Sequence, residues 1–345
     1  MQITNIAVNP LLRKALWPLS VLFAAVVQVR NLLFDLGLLK VEVSPARAVC
    51  VGNLAAGGTG KTPFIEYLLR YAPAGARCVV VSRGYGRTSK GLRRLEAAEL
   101  DPAEYGDEPC QIKAAFPQSE VLVAERRAEA YRYIAGQMPC DYILLDDAYQ
   151  HRYAGRHVNV LLTTYQSPFT QDWVLPAGNL REPRSGAARA DMIVVTKCPP
   201  AIPNRAEVSA AIRRYNARAR VAFAGLTYMS VQYQNCVGTG KALVVTSIAE
   251  PKPLYAYLSG QGQAFAKVAL ADHAEYTDVV LAALKKTLAE EACMQIITTE
   301  KDWVKISGVV ERAGWQRLPI GVVQIRMEFF DQEDKAHLLR LVYGG

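Results

Sequence analysis

Cysteine is sparse and scattered along this chain. Seven residues (Cys50, Cys78, Cys110, Cys140, Cys198, Cys236 and Cys293) occur in 345, an odd number with no CxxC spacing. Neither a disulfide framework nor a thiolate zinc site is supported, and a reducing cytoplasm fits best. Low-complexity tracts and internal repeats are also lacking, which argues against disordered and solenoid architectures. Charged residues reach only 21% against 51% hydrophobic, the balance of an ordinary globular protein. Acidic residues are the rarer sign, 32 against 40 basic, and the net charge of +8 favours an anionic partner: a phosphorylated substrate, an acidic membrane surface or a nucleic acid.

Long apolar runs are few. The one between Lys14 and Arg30 holds 15 residues, of which only Ser20 and Gln28 are polar. As a helix it would extend about 22 Å, short of a hydrocarbon core of about 30 Å. Arg13, Lys14 and Arg30 flank it and Trp17 lies near one end, the pattern of a helix lying in an anionic interface. A buried core helix broken near Pro18 is the alternative. A cleaved signal peptide fits less well, because no small-x-small site follows the apolar run.

At about 150 residues per domain the length suggests two domains. Apolar runs at 47–51, 78–81, 121–124, 142–145, 158–162 and 192–195 alternate with helical stretches, and a helical segment is expected at 207–215. A second series runs through 242–245, 266–270, 295–298 and 322–325. Short buried runs separated by helices indicate an α/β fold with a mostly parallel sheet and helices on both faces. The expected division is an amino-terminal helix over 1–40, a phosphate-loop (P-loop) domain over 41–225, and a smaller α/β domain over 226–345.

After the run ending at Val51 comes GNLAAGGTGKT at 52–62, followed by a helical stretch. Strand, glycine-rich turn, Lys-Thr and helix is the context in which backbone amides cradle phosphate. Gly57, Gly58, Thr59 and Gly60 would form the cradle, Lys61 would reach the β and γ phosphates, and the Thr62 hydroxyl would ligate Mg²⁺. The sequence departs from GxxxxGK[ST] at Ala55, where glycine is expected. An acidic residue at the end of a buried strand should complete the site, and YILLDD at 142–147 supplies it. Asp146 suits the metal and Asp147 a water or second contact. No guanine-reading NKxD follows a strand, since TKCP at 196–199 has Pro199 in place of the Asp. ATP is the expected nucleotide.

Seven motifs stand in order: GNLAAGGTGKTP, SRGYGR at 82–87, GDEP at 106–109, DDAYQH at 146–151, LREP at 180–183, DHAEYT at 272–277 and TEKD at 299–302. Together, over about residues 45–305, they resemble the tetraacyldisaccharide 4'-kinase family of lipid A biosynthesis. The resemblance implies ATP- and Mg²⁺-dependent phosphorylation of the 4' hydroxyl of an acylated disaccharide 1-phosphate lipid. It also implies residence at the cytoplasmic face of the bacterial inner membrane, peripheral or monotopic. Neither a nucleic acid nor an obligate protein partner is expected. Two departures stand out: Ala148 and Tyr149 replace the Gly and Phe of the commoner DDGFQH, and Ala274 follows His273 where DHH is common.

By the resemblance, Asp107 accepts the proton of the sugar hydroxyl, with His273 as its partner. From sequence alone, Asp107 before Pro109 reads equally as a helix N-cap. Arg83, Tyr85 and Arg87 of the basic loop, with Arg181 and His151, are the candidates for gripping substrate phosphate. A solvated turn and a structural Arg–Glu pair are the alternatives. Gln150 is placed with the nucleotide, and Lys301 and Asp302 carry no assigned role.

Overall fold

The computed structural model describes residues 15–97, 100–271 and 274–344. The chain divides into two units, one formed by Met1–Arg83, Arg126–Gly225 and Glu328–Gly345, the other by Gly84–Glu125 and Leu226–Met327. One crossing between the units falls between Gly225 and Leu226. Two segments depart from the expected division: 84–125 belongs with the second unit, and 328–345 returns to the first. The return has a visible cause in the helix Gln332–Tyr343. Tyr343 donates its hydroxyl to the Leu68 carbonyl at 2.6 Å, and Arg47 donates to the carbonyls of Leu341 and Val342.

Strands are numbered along the chain. In the first unit, β1 (Arg47–Asn53), β2 (Cys78–Ser82), β5 (Tyr142–Asp146), β6 (Val158–Thr164), β7 (Met192–Thr196) and the start of β8 (Arg220–Tyr228) pair in the order β8-β7-β6-β1-β5-β2, all parallel. Their middles are continuously buried, as strands covered on both faces must be. The sequence runs match these strands closely, but β8 was not among them. β1 lies between β5 and β6, so the turns leaving β1 and β5 open at neighbouring carboxyl ends, where α/β sheets bind ligands.

The second unit holds an antiparallel pair, β3 (Arg93–Arg94) and β4 (Glu120–Val123), and a five-stranded sheet. That sheet contains β9 (Gln232–Tyr233), β10 (Ala242–Thr246), β11 (Phe265–Ala269), β12 (Gln295–Thr299) and β13 (Ile320–Val323), in the order β11-β10-β12-β13-β9 with β9 antiparallel. Alternation along β10 sends Leu243 and Val245 to a core with Leu281, Leu284 and Leu288, and Ala242 and Val244 to one with Leu254 and Leu258. Helices therefore cover both faces of this sheet as well.

The apolar amino-terminal helix runs Trp17–Asp35, longer than the apolar run itself, with Pro18 in its first turn, where a missing N–H costs nothing. Only Ser20, Val27 and Phe34 are buried, while Trp17, Leu22, Val26 and Val29 are each about half exposed or more. A core helix would hide these. Its polar positions face its own unit instead: Ala177 N donates to Ser20 Oγ, Arg30 donates to the Gln150 carbonyl, and Asn31 donates to Glu182.

Candidate active site

The turn after β1 closes on Gly60, whose φ of +83° caps the helix Lys61–Arg70 in a left-handed conformation, and Gly57 stands at φ +112°. Side chains rarely adopt such angles, so glycine is required at both points. Ala55 has no positive φ and bridges Leu180, so its departure from the glycine pattern is tolerated. Thr196, at the end of β7, donates its hydroxyl to the Thr59 carbonyl at 2.7 Å and steadies the loop from the side. Lys61 and Thr62 are both buried at the first turn of the helix.

The acidic turn after β5 meets this loop. Asp146 is fully buried and pairs in register with Val51 of β1, and its Oδ2 accepts from Ser82 at 2.9 Å. Asp147 adopts φ +45°, a strained angle for a non-glycine residue. Arg181 Nη1 lies 2.9 and 3.1 Å from its two oxygens, and Lys61 Nζ lies 3.8 Å from Oδ2. Burial opposes ionisation of Asp147, yet Lys61 and then Arg181 outweigh it and hold the carboxyl below the usual carboxylate range. Arg181 thus pairs with Asp147 and not with Glu182. Behind them Arg127, almost wholly buried, donates to the Asp146 carbonyl; burial lowers its affinity for its proton to about 10.

Gln150 donates to the Asn53 carbonyl at 2.8 Å and to Glu182 Oε1 at 2.9 Å, linking the DDAYQH turn to the start of the phosphate loop. Glu182, fully buried, also receives Arg189 at 2.7 Å. The Tyr149 departure is accommodated by name: its hydroxyl donates to the Gly186 carbonyl, so the extra oxygen is satisfied. A Cβ at Gly52 would stand 2.7 Å from the Tyr149 Cβ, so only glycine lets this turn cross β1. His151 is pushed down to about 4 by burial first and then by Arg127 and Arg83, and is neutral at physiological pH.

In the basic loop, Arg83 and Tyr85 are exposed. Arg87 is not: its guanidinium is held by Glu125 at 2.6 Å and by the Gly91 carbonyl at 2.6 Å, the geometry of a loop clamp.

In the second unit, Gly106 caps the helix Asp107–Ala115, so Asp107 is its first residue and not its cap. Asp107 is buried, with Oδ2 2.8 Å from Lys305 Nζ, whose side chain is largely shielded from solvent. Lys305 also donates to the Ala274 carbonyl at 3.2 Å. His273 lies outside the described residues. Asp302 of TEKD is fully buried and accepts from Ser247 N at 2.9 Å, Thr299 Oγ1 at 2.8 Å, Tyr276 at 3.3 Å and the Ser247 hydroxyl. It binds the turn after β10 to the DHAEYT segment.

Lys61, Asp147 and Arg181, distant in sequence, are therefore brought together, while Asp107 meets a lysine that sequence reasoning passed over. Lys197 was also missed. It follows β7 with φ +54°, and its Nζ would lie 3.9 Å from a Cβ placed on Gly58. Its signal was the TKCP run, which served only to exclude guanine.

A family model described as Tetraacyldisaccharide-1-P 4'-kinase matches residues 12–343. The chain is 38% identical over 321 residues to the tetraacyldisaccharide 4'-kinase of Flavobacterium psychrophilum, covering 90% of this chain and 92% of that one. It is 38% identical over 323 residues to the enzyme of the same name from Cytophaga hutchinsonii, covering 90% and 91%. Among solved structures, the "apo" form LpxK from Aquifex aeolicus in complex with ATP is similar at 26% identity and a TM-score of 0.75, over 96% of this chain and all of that one.

Proposed function

The chain belongs to the tetraacyldisaccharide-1-P 4'-kinase family, and from that premise we propose that it transfers the γ-phosphoryl group of ATP to the 4' hydroxyl of tetraacyldisaccharide 1-phosphate. The observation that carries the reading is the convergence of Lys61 and Arg181 on Asp147 beside the glycine loop. A buried lysine and a partly exposed arginine gathered at a glycine-rich loop suit a polyphosphate far better than a neutral ligand.

ATP phosphates lie along Gly57, Gly58, Thr59 and Gly60, and Lys61 exchanges its contact with Asp147 for the β and γ oxygens. Gln150 holds the loop to the DDAYQH turn. The donor set of Thr62 hydroxyl and Asp146 carboxylate is oxygen only, which fits Mg²⁺. When bound, the ion would neutralise charge on the β and γ phosphates. Asp107 accepts the proton of the sugar hydroxyl, with His273 as partner; a loose transition state asks for orientation and a nearby acceptor more than a strong base. Arg83, Tyr85 and His151 serve the substrate's phosphate or sugar. The exposed apolar face of the helix Trp17–Asp35 and the charge of +8 suit attachment to the cytoplasmic leaflet of the inner membrane.

The test supplies labelled ATP, Mg²⁺ and the acylated disaccharide 1-phosphate in mixed micelles. Label in the lipid is expected. Release of free phosphate with unlabelled lipid would overturn the reading in favour of a nucleotide-switched ATPase, and label on a soluble sugar alone in favour of a metabolite kinase.

A further inference from the structure

We propose that Lys305 is a positioning residue that keeps the Asp107 carboxylate ionised and oriented and ties it to the backbone beside His273; this rests on the reading of Asp107 as proton acceptor. Lys305 lies on the helix Glu300–Ser307, one turn after Asp302 and on the same side of it. Asp302, anchored to Ser247, Thr299 and Tyr276, locks that turn, so the lysine stem departs from a rigid base. The ammonium then reaches Asp107 Oδ2 at 2.8 Å and the Ala274 carbonyl at 3.2 Å. An ammonium has three donors and no acceptor, and one largely withdrawn from water must be paired. Here its two partners are the proposed base and the residue that follows His273.

Two titratable neighbours of Asp107 among the described residues, Tyr276 and Cys110, carry no positive charge. Tyr276, on the neighbouring segment, is held a neutral phenol by burial and by Asp302 and Asp107. On its own helix Cys110 is pushed up to about 12 by burial and by Asp107, Asp101 and Glu104, and stays a thiol. Asp101 and Glu104 are carboxylates and favour protonation of a neighbouring acid. A cation is what balances them.

The experiment compares the full chain with Lys305→Met, Lys305→Arg and Asp107→Asn, measuring kcat and KM for ATP and lipid across pH, and repeats the profiles on a His273→Ala background so that the imidazole does not set the limb. Lys305→Met is expected to lower kcat about tenfold to a hundredfold near neutrality, the kinetic equivalent of a hydrogen bond to a charged group. KM for ATP should stay within about twofold. The acid limb should move to higher pH, so that the loss narrows as pH rises, and Lys305→Arg should restore most of the rate. If Lys305→Met does not fold, Lys305→Gln keeps donors without the charge and reads the same limb. A loss equal at every pH, or a rate unchanged by Lys305→Met while Asp107→Asn is inactive, overturns this inference alone. An Asp107→Asn enzyme with full turnover overturns the reading of Asp107 itself.

Discussion

Acidification isolates one group, His151. Its imidazole is half-buried in the first unit near Arg127 and Arg83, and its proton affinity is pushed down to about 4. In the unfolded chain the same group takes up a proton near pH 6.5. Between those two values the unfolded state binds more protons, so stability is intact above about pH 6.5 and falls as pH is lowered toward 4. The full loss is about 3 kcal/mol, and about 2 kcal/mol of it should be present at pH 5. Urea denaturation of the wild type and His151→Gln at pH 7.5 and pH 5 measures this term, because the other titrating groups cancel in the difference. The wild type should lose more stability than the variant by that amount. Parallel losses in the two proteins would refute the reasoning and place a charged, solvated imidazole at this position. At neutral pH the uncharged ring is both donor and acceptor, a form suited to a sugar hydroxyl and ill suited to gripping phosphate by charge.

Lys61→Met should lower turnover by about a hundredfold to a thousandfold, since electrostatic stabilisation of a transferring group is worth about 3–4 kcal/mol; a folded variant with near-normal turnover in the lipid-labelling assay would sink the assignment. Asp146→Asn should weaken Mg²⁺ dependence and ATP binding together, whereas Asp107→Asn should keep ATP affinity and lose about 10² to 10⁴ in kcat; equilibrium ATP binding to the two variants separates them, and abolished binding in Asp107→Asn contradicts its role. Asp302→Ala leaves several buried donors without their acceptor and should cost about 3–5 kcal/mol, read by thermal or urea denaturation; a cost under about 1 kcal/mol would show that the Asp302 cluster is not what holds the DHAEYT segment.

What the sequence made legible follows from which signals are local. The parallel strands could be read because each is a short, wholly buried run, and the phosphate loop because strand, glycines, Lys61 and helix are contiguous. β8 escaped although VAFAGL at 221–226 is a continuous apolar run: it begins with Arg220, whose guanidinium pairs with Asp334, and it continues past the buried stretch into partly exposed residues. The return of 328–345 to the first unit was not legible either, because it depends on hydrogen bonds from Arg47, Tyr142 and Tyr343 that no periodicity announces. Likewise the sequence did not announce that Arg87 pairs with Glu125.

The site residues divide along the same line. Motifs name a residue's chemistry, but partners come from elsewhere in the chain: Asp147 takes Arg181, Gln150 takes Glu182, and Asp107 takes Lys305. The third pair has the largest consequence. In sequence Asp107 stands between the phosphate loop and the acidic turn, within the expected phosphate-loop domain of 41–225. In the fold, the segment 84–125 leaves the phosphate-loop unit and joins the unit of β10–β13, carrying Asp107 with it. Asp107 is thus anchored by Lys305 and the Asp302 cluster, while Lys61, Thr62, Asp146 and Asp147 are anchored by β1, β5 and Arg181. Two sets of residues with separate supports can be perturbed separately, which is why substitutions around Lys305 and Asp302 should alter turnover while leaving ATP affinity to the other unit.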